Sequence, residues 1–381
     1  MRGEPGRCTV SQDLVGPGRL PCAERDGVVH NLGRAGPECP ANADTAPVHP
    51  ELRATADRQL GVFTAEDARR AGYRLDEVRS RLKSREWTRL RRGIYIETRR
   101  AAELRADSRT AHLLDCVAVL VALGDAPVLS HESAARLHRL ELPGSASHIV
   151  RLSDEIQWRE GRGYRVARAT LPGADLERFE RFRATSPART LVDCAREWSL
   201  VDAVVAMDAA LHGRMVSRVQ LEAAVHFARH WVGVGNAGRA LSFADGRAES
   251  GLESRGRLRL LGSGFPTPEL QVELHDARGF IGRVDAWYEE AAVAIEFDGR
   301  VKYSDPTKGR SPTDVLWDEK RREDAIRGLD VRVLRVVNAD LGRRWSVLTE
   351  RLRGMLAVPM VGPRRFTVVR CREPGDDASA A

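Results

Sequence analysis

The stretch RVDAWYEEAAVAIEFDGRVKY, from Arg283 to Tyr303, constrains the fold of this chain more than any other. Asp285 sits in a short apolar segment with Val284, Ala286 and Trp287, and a polar bend follows at Glu289 and Glu290. Ala292 to Phe297 then reads as a buried strand carrying Glu296, with Asp298 just beyond. Two such segments joined by a tight turn are a β-hairpin. Alternate side chains of a strand share a face, so Glu296 and Asp298 point the same way and Asp285 on the partner strand lies within reach. Three converging carboxylates repel one another unless a hard divalent cation sits between them. A cation held there activates water and steadies the charge that builds on a phosphoryl group.

The 381-residue chain has room for two or three domains with real cores. Its longest apolar run, Cys116 to Leu123, is too short to span a membrane, and no charged start with a hydrophobic stretch opens the sequence. A cytoplasmic protein without membrane partners is therefore expected. The six cysteines (Cys8, Cys22, Cys39, Cys116, Cys194 and Cys371) lack CxxC spacing, so neither a zinc site nor a disulfide framework is indicated. Cys116 and Cys194 lie in apolar contexts and read as buried thiols.

Net charge is +7 with a pI near 9.4, which permits nucleic-acid binding. The excess is local. Gly61 to Arg100 holds twelve Lys and Arg against six Asp and Glu, whereas Gly246 to Leu356 holds twenty against nineteen. Residues 1–57, with seven Pro and seven Gly in the first fifty, read as a disordered tail. Residues 58–100 then give a capped helix from Thr64, a stop at Gly72, and a second helix with Leu75, Val78 and Leu82 at helical spacing. A strand-like segment from Trp87 to Ile96, turning at Gly93, completes the order of a winged helix-turn-helix. Its second helix would offer Arg74, Arg79, Arg81 and Lys83 to double-stranded DNA, with Arg91 and Arg92 on the hairpin behind it.

Residues 101–245 read as a mixed α+β middle domain, with helices at 111–123, 130–138 and 185–195 and strands at 148–152 and 163–168. His131 and Ser133 have no nucleophile motif around them, and a hydrogen-bonding role at a helix start is expected. Residues 246–358 open with a helix carrying Glu249 and Glu253 on one face. A strand at 269–275 and the carboxylate hairpin follow, then a charged helix over 314–327, an apolar strand over 331–337 and a closing helix. The order is α-β-β-β-α-β-α, and residues 359–381 read as a tail.

That order, carrying Asp285 and the segment Ile295 to Gly299, resembles the restriction-endonuclease-like PD-(D/E)xK nuclease fold. More narrowly, it resembles the small bacterial domains related to very-short-patch-repair endonucleases, through Glu253, Gln271, Asp285, Glu296, the Glu319 to Arg322 helix and the 331–337 strand. The resemblance implies Mg²⁺ or Mn²⁺ on Asp285, Glu296 and Asp298, supported by Glu253. The family's Lys, two residues after the acid, is replaced here by Asp298, so Lys302 or Lys320 would have to position the attacking water. The front half is similar to the abortive-infection antitoxin family (AbiEi-like) through Gly61 to Tyr73, Trp87, Arg91 to Tyr95, Ser130 to Ala135 and Thr185 to Asp193. That likeness implies promoter binding and a partner toxin.

Two expectations follow for an α/β multidomain chain. One is a Mg²⁺-dependent endonuclease delivered by its winged helix, in phage defence or DNA repair. The other is an antitoxin or repressor whose nuclease fold is catalytically silent.

Overall fold

In the computed structural model, which describes residues 48–373 apart from 125, 180–181, 300–316, 318–320 and 323, three sheets follow one another along the chain. All of these residues belong to one compact unit that begins at Pro47.

The first sheet belongs to a small helical region: α1 (Pro50–Asp57), β1 (Val62–Thr64), α2 (Ala65–Arg70), α3 (Leu75–Lys83), β2 (Trp87–Arg91) and β3 (Ile94–Glu97), with strand order β1-β3-β2. Thr64 starts α2 through a capping box, its Oγ1 accepting from the Asp67 amide while Asp67 accepts from its own. Gly72 and Gly93, at φ of 90° and 73°, make the turns before α3 and between β2 and β3. Phe63, Tyr73 and Trp87 meet edge-on at the centre. Helix α1 corrects the expected tail. Its Leu52 is fully buried in that core, which recruits residues 50–57 into the fold for roughly 2 kcal/mol.

The middle region runs α4 (Thr98–Arg105), α5 (Ser108–Leu123), β4 (Val128–Leu129), α6 (His131–Leu137), β5 (Val150–Asp154), β6 (Arg159–Gly161), β7 (Tyr164–Arg168), β8 (Leu176–Phe179), β9 (Phe182–Thr185), α7 (Pro187–Ala195), α8 (Leu200–His212), α9 (Arg218–Phe227) and α10 (Val234–Phe243). Its mixed sheet has the order β6-β7-β5-β4-β9-β8. Helix α5 is apolar nearly all round because it packs on two sheets. Leu114, Val117 and Ala118 meet Val62, Ile94 and Ile96 of the first sheet, and Cys116 and Val119 meet Leu129, Leu152 and Val166 of the second. Helices α7 to α10 form a separate core around Leu191, Met207, Leu221 and Ala237.

The last region contains α11 (Gly251–Gly262), β10 (Glu269–Asp276), β11 (Gly279–Tyr288), β12 (Val293–Asp298), β13 (Arg332–Val337), α12 (Trp345–Leu356) and β14 (Thr367–Arg370). Residues 324–327 are helical ahead of β13. The sheet order is β13-β12-β11-β10-β14, with only β12 and β13 parallel. Strand β14 corrects the second expected tail: it pairs with β10, Phe366 is buried beside it, and Glu373 reaches Arg218 at 2.8 Å and the Gly246 amide at 2.8 Å. One sheet face packs on α11 and α12 and the other on Ile326, Leu329 and Phe366. Helix α11 comes so close that a Cβ on Gly256 would lie 2.1 Å from the Phe297 ring. Its Arg257 crosses to α8, bonding Asp208 at 2.9 Å and the Phe243 carbonyl at 2.7 Å. Among the described residues no helix is long and apolar enough to cross a membrane.

Candidate functional site

The acid site forms where the last sheet changes face. Leu270 pairs with Ala286 and both join the core under α11, yet the next pair, Val272 with Val284, joins the core on the opposite face. Between them Gln271 has φ 52°, uncommon for a residue with a side chain, and Asp285 lies opposite it. The kink sends Gln271 to the start of α11, where its Nε2 donates to Glu253 Oε2 at 3.0 Å. Glu253 also accepts from the Glu249 amide at 2.9 Å and from Ser250 Oγ at 2.7 Å, so it holds the helix entrance together. Burial raises the Glu253 carboxyl, and the charge of nearby Asp285 raises it further against those bonds. Asp285 Oδ2 accepts from the Phe297 amide at 2.7 Å, which places its carboxylate against the peptide that follows Glu296. Gln271 Oε1 is buried with no hydrogen-bond partner among the described residues.

Glu296 is buried, and what faces it is basic. Arg335, its register partner on β13, comes within 3.5 Å and Arg322 within 3.6 Å; Arg335 also lies 3.7 Å from Asp298. Glu296 and Asp298 thus share a face, as alternation requires, but they share it with a guanidinium. Among the described residues no group of three or more His, Cys, Asp or Glu side chains is arranged to hold a metal ion. Arg322 and Arg335 stand on the side of Glu296 and Asp298 where the expected trio of Asp285, Glu296 and Asp298 would hold a metal. Lys302 and Lys320 lie outside the described residues. The sequence reading missed Arg335, which stands exposed on the outer strand β13, because its closeness to Glu296 comes only from the pairing of β12 with β13.

The six basic residues expected to meet DNA divide in two. Arg79, Lys83 and Arg92 are exposed, with no ion-pair partner among the described residues. Arg74 is exposed with a surface pair to Asp76 at 3.3 Å, which counts for little. The other two are committed elsewhere. Arg81 bonds Glu86 at 2.6 Å and lies over Tyr73 and Trp87; Arg91 donates to the Arg162 carbonyl at 3.0 Å and lies over Tyr164. Neither was separable from its neighbours by sequence, since helical spacing does not reveal which Arg folds back on an aromatic ring.

A second buried polar cluster lies in the middle region. Arg151 donates to both Glu197 oxygens at 2.7 Å and lies 3.6 Å from Glu132, which also accepts from Trp198 Nε1 at 3.2 Å. Burial alone would raise Glu197, but Arg151 and His131 overturn it and hold the carboxyl well below the usual range. Ser133 Oγ accepts from the Arg151 amide at 2.8 Å and bonds His112 Nε2 at 3.0 Å; Ser130 Oγ bonds His131 Nδ1 at 2.9 Å. The helix-start role expected for His131 and Ser133 gives way to this network across α5, α6 and β5, and Ser130 does not cap α6 through its side chain. Ser130 and Ser133 are buried, so neither offers a nucleophile to solvent. Cys116 and Cys194 are buried as expected, and burial pushes the Cys116 thiol up to about 12.

No protein-family model matches the chain. The uncharacterized proteins MT2308 and Rv2248 of Mycobacterium tuberculosis (strains CDC 1551 / Oshkosh and ATCC 25618 / H37Rv) are each 34% identical to it over 180 residues, 47% of this chain. The match spans 64% of the length of those curated relatives. Among solved structures, the crystal structure of the RV2827C protein from Mycobacterium tuberculosis is similar at a TM-score of 0.35 and 15% identity, over 59% of this chain and 88% of that one. A superposition that loose carries no argument about how residues of the two chains correspond.

Proposed function

We propose that this chain is a double-stranded-DNA-binding regulator, a winged helix-turn-helix joined to a nuclease-like unit whose acid site is neutralised by arginine. The observation that carries the reading is the exposed stripe on α3. Leu75, Arg79 and Lys83 follow at four-residue intervals, while Val78 and Leu82 face the core. Such a helix enters the major groove with its cations on phosphates, and an exposed Leu75 can meet a thymine methyl. Arg92, at the tip of the β2–β3 hairpin, reaches phosphates beside it. The likeness to abortive-infection antitoxins adds a partner toxin as the implied protein ligand.

Anisotropy over a salt series tests this. Each phosphate contact contributes about −0.9 to the log–log slope, so replacing Arg79, Lys83 and Arg92 by Ala should flatten it by roughly two to three units. Arg81→Ala should leave the slope unchanged and lower stability instead. Loss of slope in Arg81→Ala but not in the triple variant would move the interface off this helix.

A second reading, metal-dependent phosphodiester hydrolysis, is favoured by one observation: Glu253, Gln271 and Asp285 gather buried acid and an unpartnered amide oxygen at the entrance of α11. It requires Mg²⁺ or Mn²⁺ to take Glu296 from Arg322 and Arg335 and to bind it together with Asp285. Calorimetry with Mn²⁺ would then show Asp285→Asn losing at least about tenfold in affinity, about 1.4 kcal/mol. The reading fails if Mn²⁺ heats are the same in wild type, Asp285→Asn and Glu296→Gln.

A further inference from the structure

Outside the helix-turn-helix, one surface combines exposed cations with exposed aromatic and aliphatic groups. It is the β6–β7 hairpin and the turn leading into it. Ile156 and Trp158 are 79% and 65% exposed, and Arg159, Arg162, Arg165 and Arg168 are all exposed. The acids there are already engaged: Glu160 pairs with Arg165 at 3.1 Å, and Glu155 accepts from the Leu171 amide at 3.3 Å. Strand β6 is the outer strand of its sheet. Basic residues on an outer strand are an ordinary guard against edge-to-edge pairing, and that accounts for the arginines. It does not account for Trp158 and Ile156, which such a guard would replace with polar groups.

The position of the hairpin supplies the second observation. Arg91, at the end of β2, donates to the Arg162 carbonyl at 3.0 Å and places its guanidinium 5.3 Å from the Tyr164 ring. Its Nη2 would lie 3.6 Å from a Cβ on Gly163. Both turns are built on glycine at positive φ, 73° at Gly93 and 76° at Gly163. The two hairpin tips therefore abut, and exposed Arg92 and Arg162 flank the join. A basic surface begun by α3 and the first hairpin continues along the second.

We propose that the β6–β7 hairpin is a second contact surface for duplex DNA, with Arg159, Arg162 and Arg168 on phosphates and Trp158 packed against the sugar edge. This rests on the DNA-binding reading above and extends its footprint. Five residues of strand cover roughly 16 Å, or about five base pairs of rise.

The test compares a duplex of about 12 base pairs with one of about 24 in anisotropy salt series. Arg159→Ala, Arg162→Ala and Arg168→Ala combined should flatten the slope on the long duplex by about two to three units and leave the short duplex at wild-type affinity. The corresponding triple Lys variant should restore the slope, because charge alone sets counterion release. Trp158→Ala should weaken long-duplex binding at unchanged slope, since an apolar contact releases no counterions. Melting curves matching wild type establish that each variant is folded. A wild-type slope for the triple Ala variant on both duplexes, with Arg79→Ala and Lys83→Ala still losing slope, overturns the hairpin surface and leaves the helix-turn-helix reading intact. If neither set changes binding, or wild type binds neither duplex, both readings fall.

Discussion

Two clusters of carboxylates in the molecule are treated in opposite ways. In the middle region Glu132 and Glu197 surround Arg151, and Glu197 is held well below the usual carboxylate range. At the entrance of α11, Glu253 is pushed up by burial and by the like charge of Asp285. The first cluster has brought its own cation inside, so it closes on itself and stabilises the fold. In the second, Arg322 and Arg335 lie against Glu296 and Asp298, while Glu253 and Asp285 are neighbours whose like charges repel. Carboxylates alone therefore do not mark a ligand site.

The strongest way to break this comparison is to remove the inner cation. Arg151→Ala leaves two carboxylates without their partner and should cost about 3 kcal/mol, the low end for a buried pair because Glu197 is half exposed. A loss of unfolding free energy in urea titration of under about a quarter of that would show that the cluster does not close on itself. A comparable effect is expected from pH. Burial lowers His112 from 6.5 to about 4, so the fold favours neutral imidazole. Its contribution is complete above pH 6.5 and is lost as pH falls towards 4, by up to about 3 kcal/mol. His112→Gln should therefore gain stability relative to wild type over that window. A constant difference from pH 7 to pH 4 would show that His112 titrates normally. The smallest effect belongs to the other cluster. Asp285→Asn keeps an oxygen for the Phe297 amide and removes the like charge beside Glu253, so stability should hold or rise by under about 1 kcal/mol. Destabilisation as large as that of Arg151→Ala would mean that the two acid sites are equivalent after all.

Much of the framework was legible from local pattern. The capped helix at Thr64, the stop at Gly72, the glycine turn at Gly93 and the alternation through β10 to β13 are short-range rules, and the elements fall within a few residues of where those rules put them. The two expected tails failed for one reason. A short segment such as Pro50–Asp57 or Thr367–Arg370 has no core of its own and is ordered only by what it docks on, in one case the aromatic centre around Phe63 and in the other the open edge of β10.

The same division holds at the candidate sites. Sequence alone determined which side chains could carry charge and which of them share a face: Glu296 with Asp298 by strand alternation, and Arg79 with Lys83 by helical spacing. Which charges remain available was decided by tertiary structure. Arg81 and Glu86, five residues apart, meet only because the chain turns after α3; Arg91 is held by a strand more than seventy residues on; and Arg335 reaches Glu296 only through the parallel pairing of β12 with β13. Periodicity reports direction relative to one element's axis, whereas neutralising a charge takes two elements within a few ångströms, a distance that no local pattern encodes.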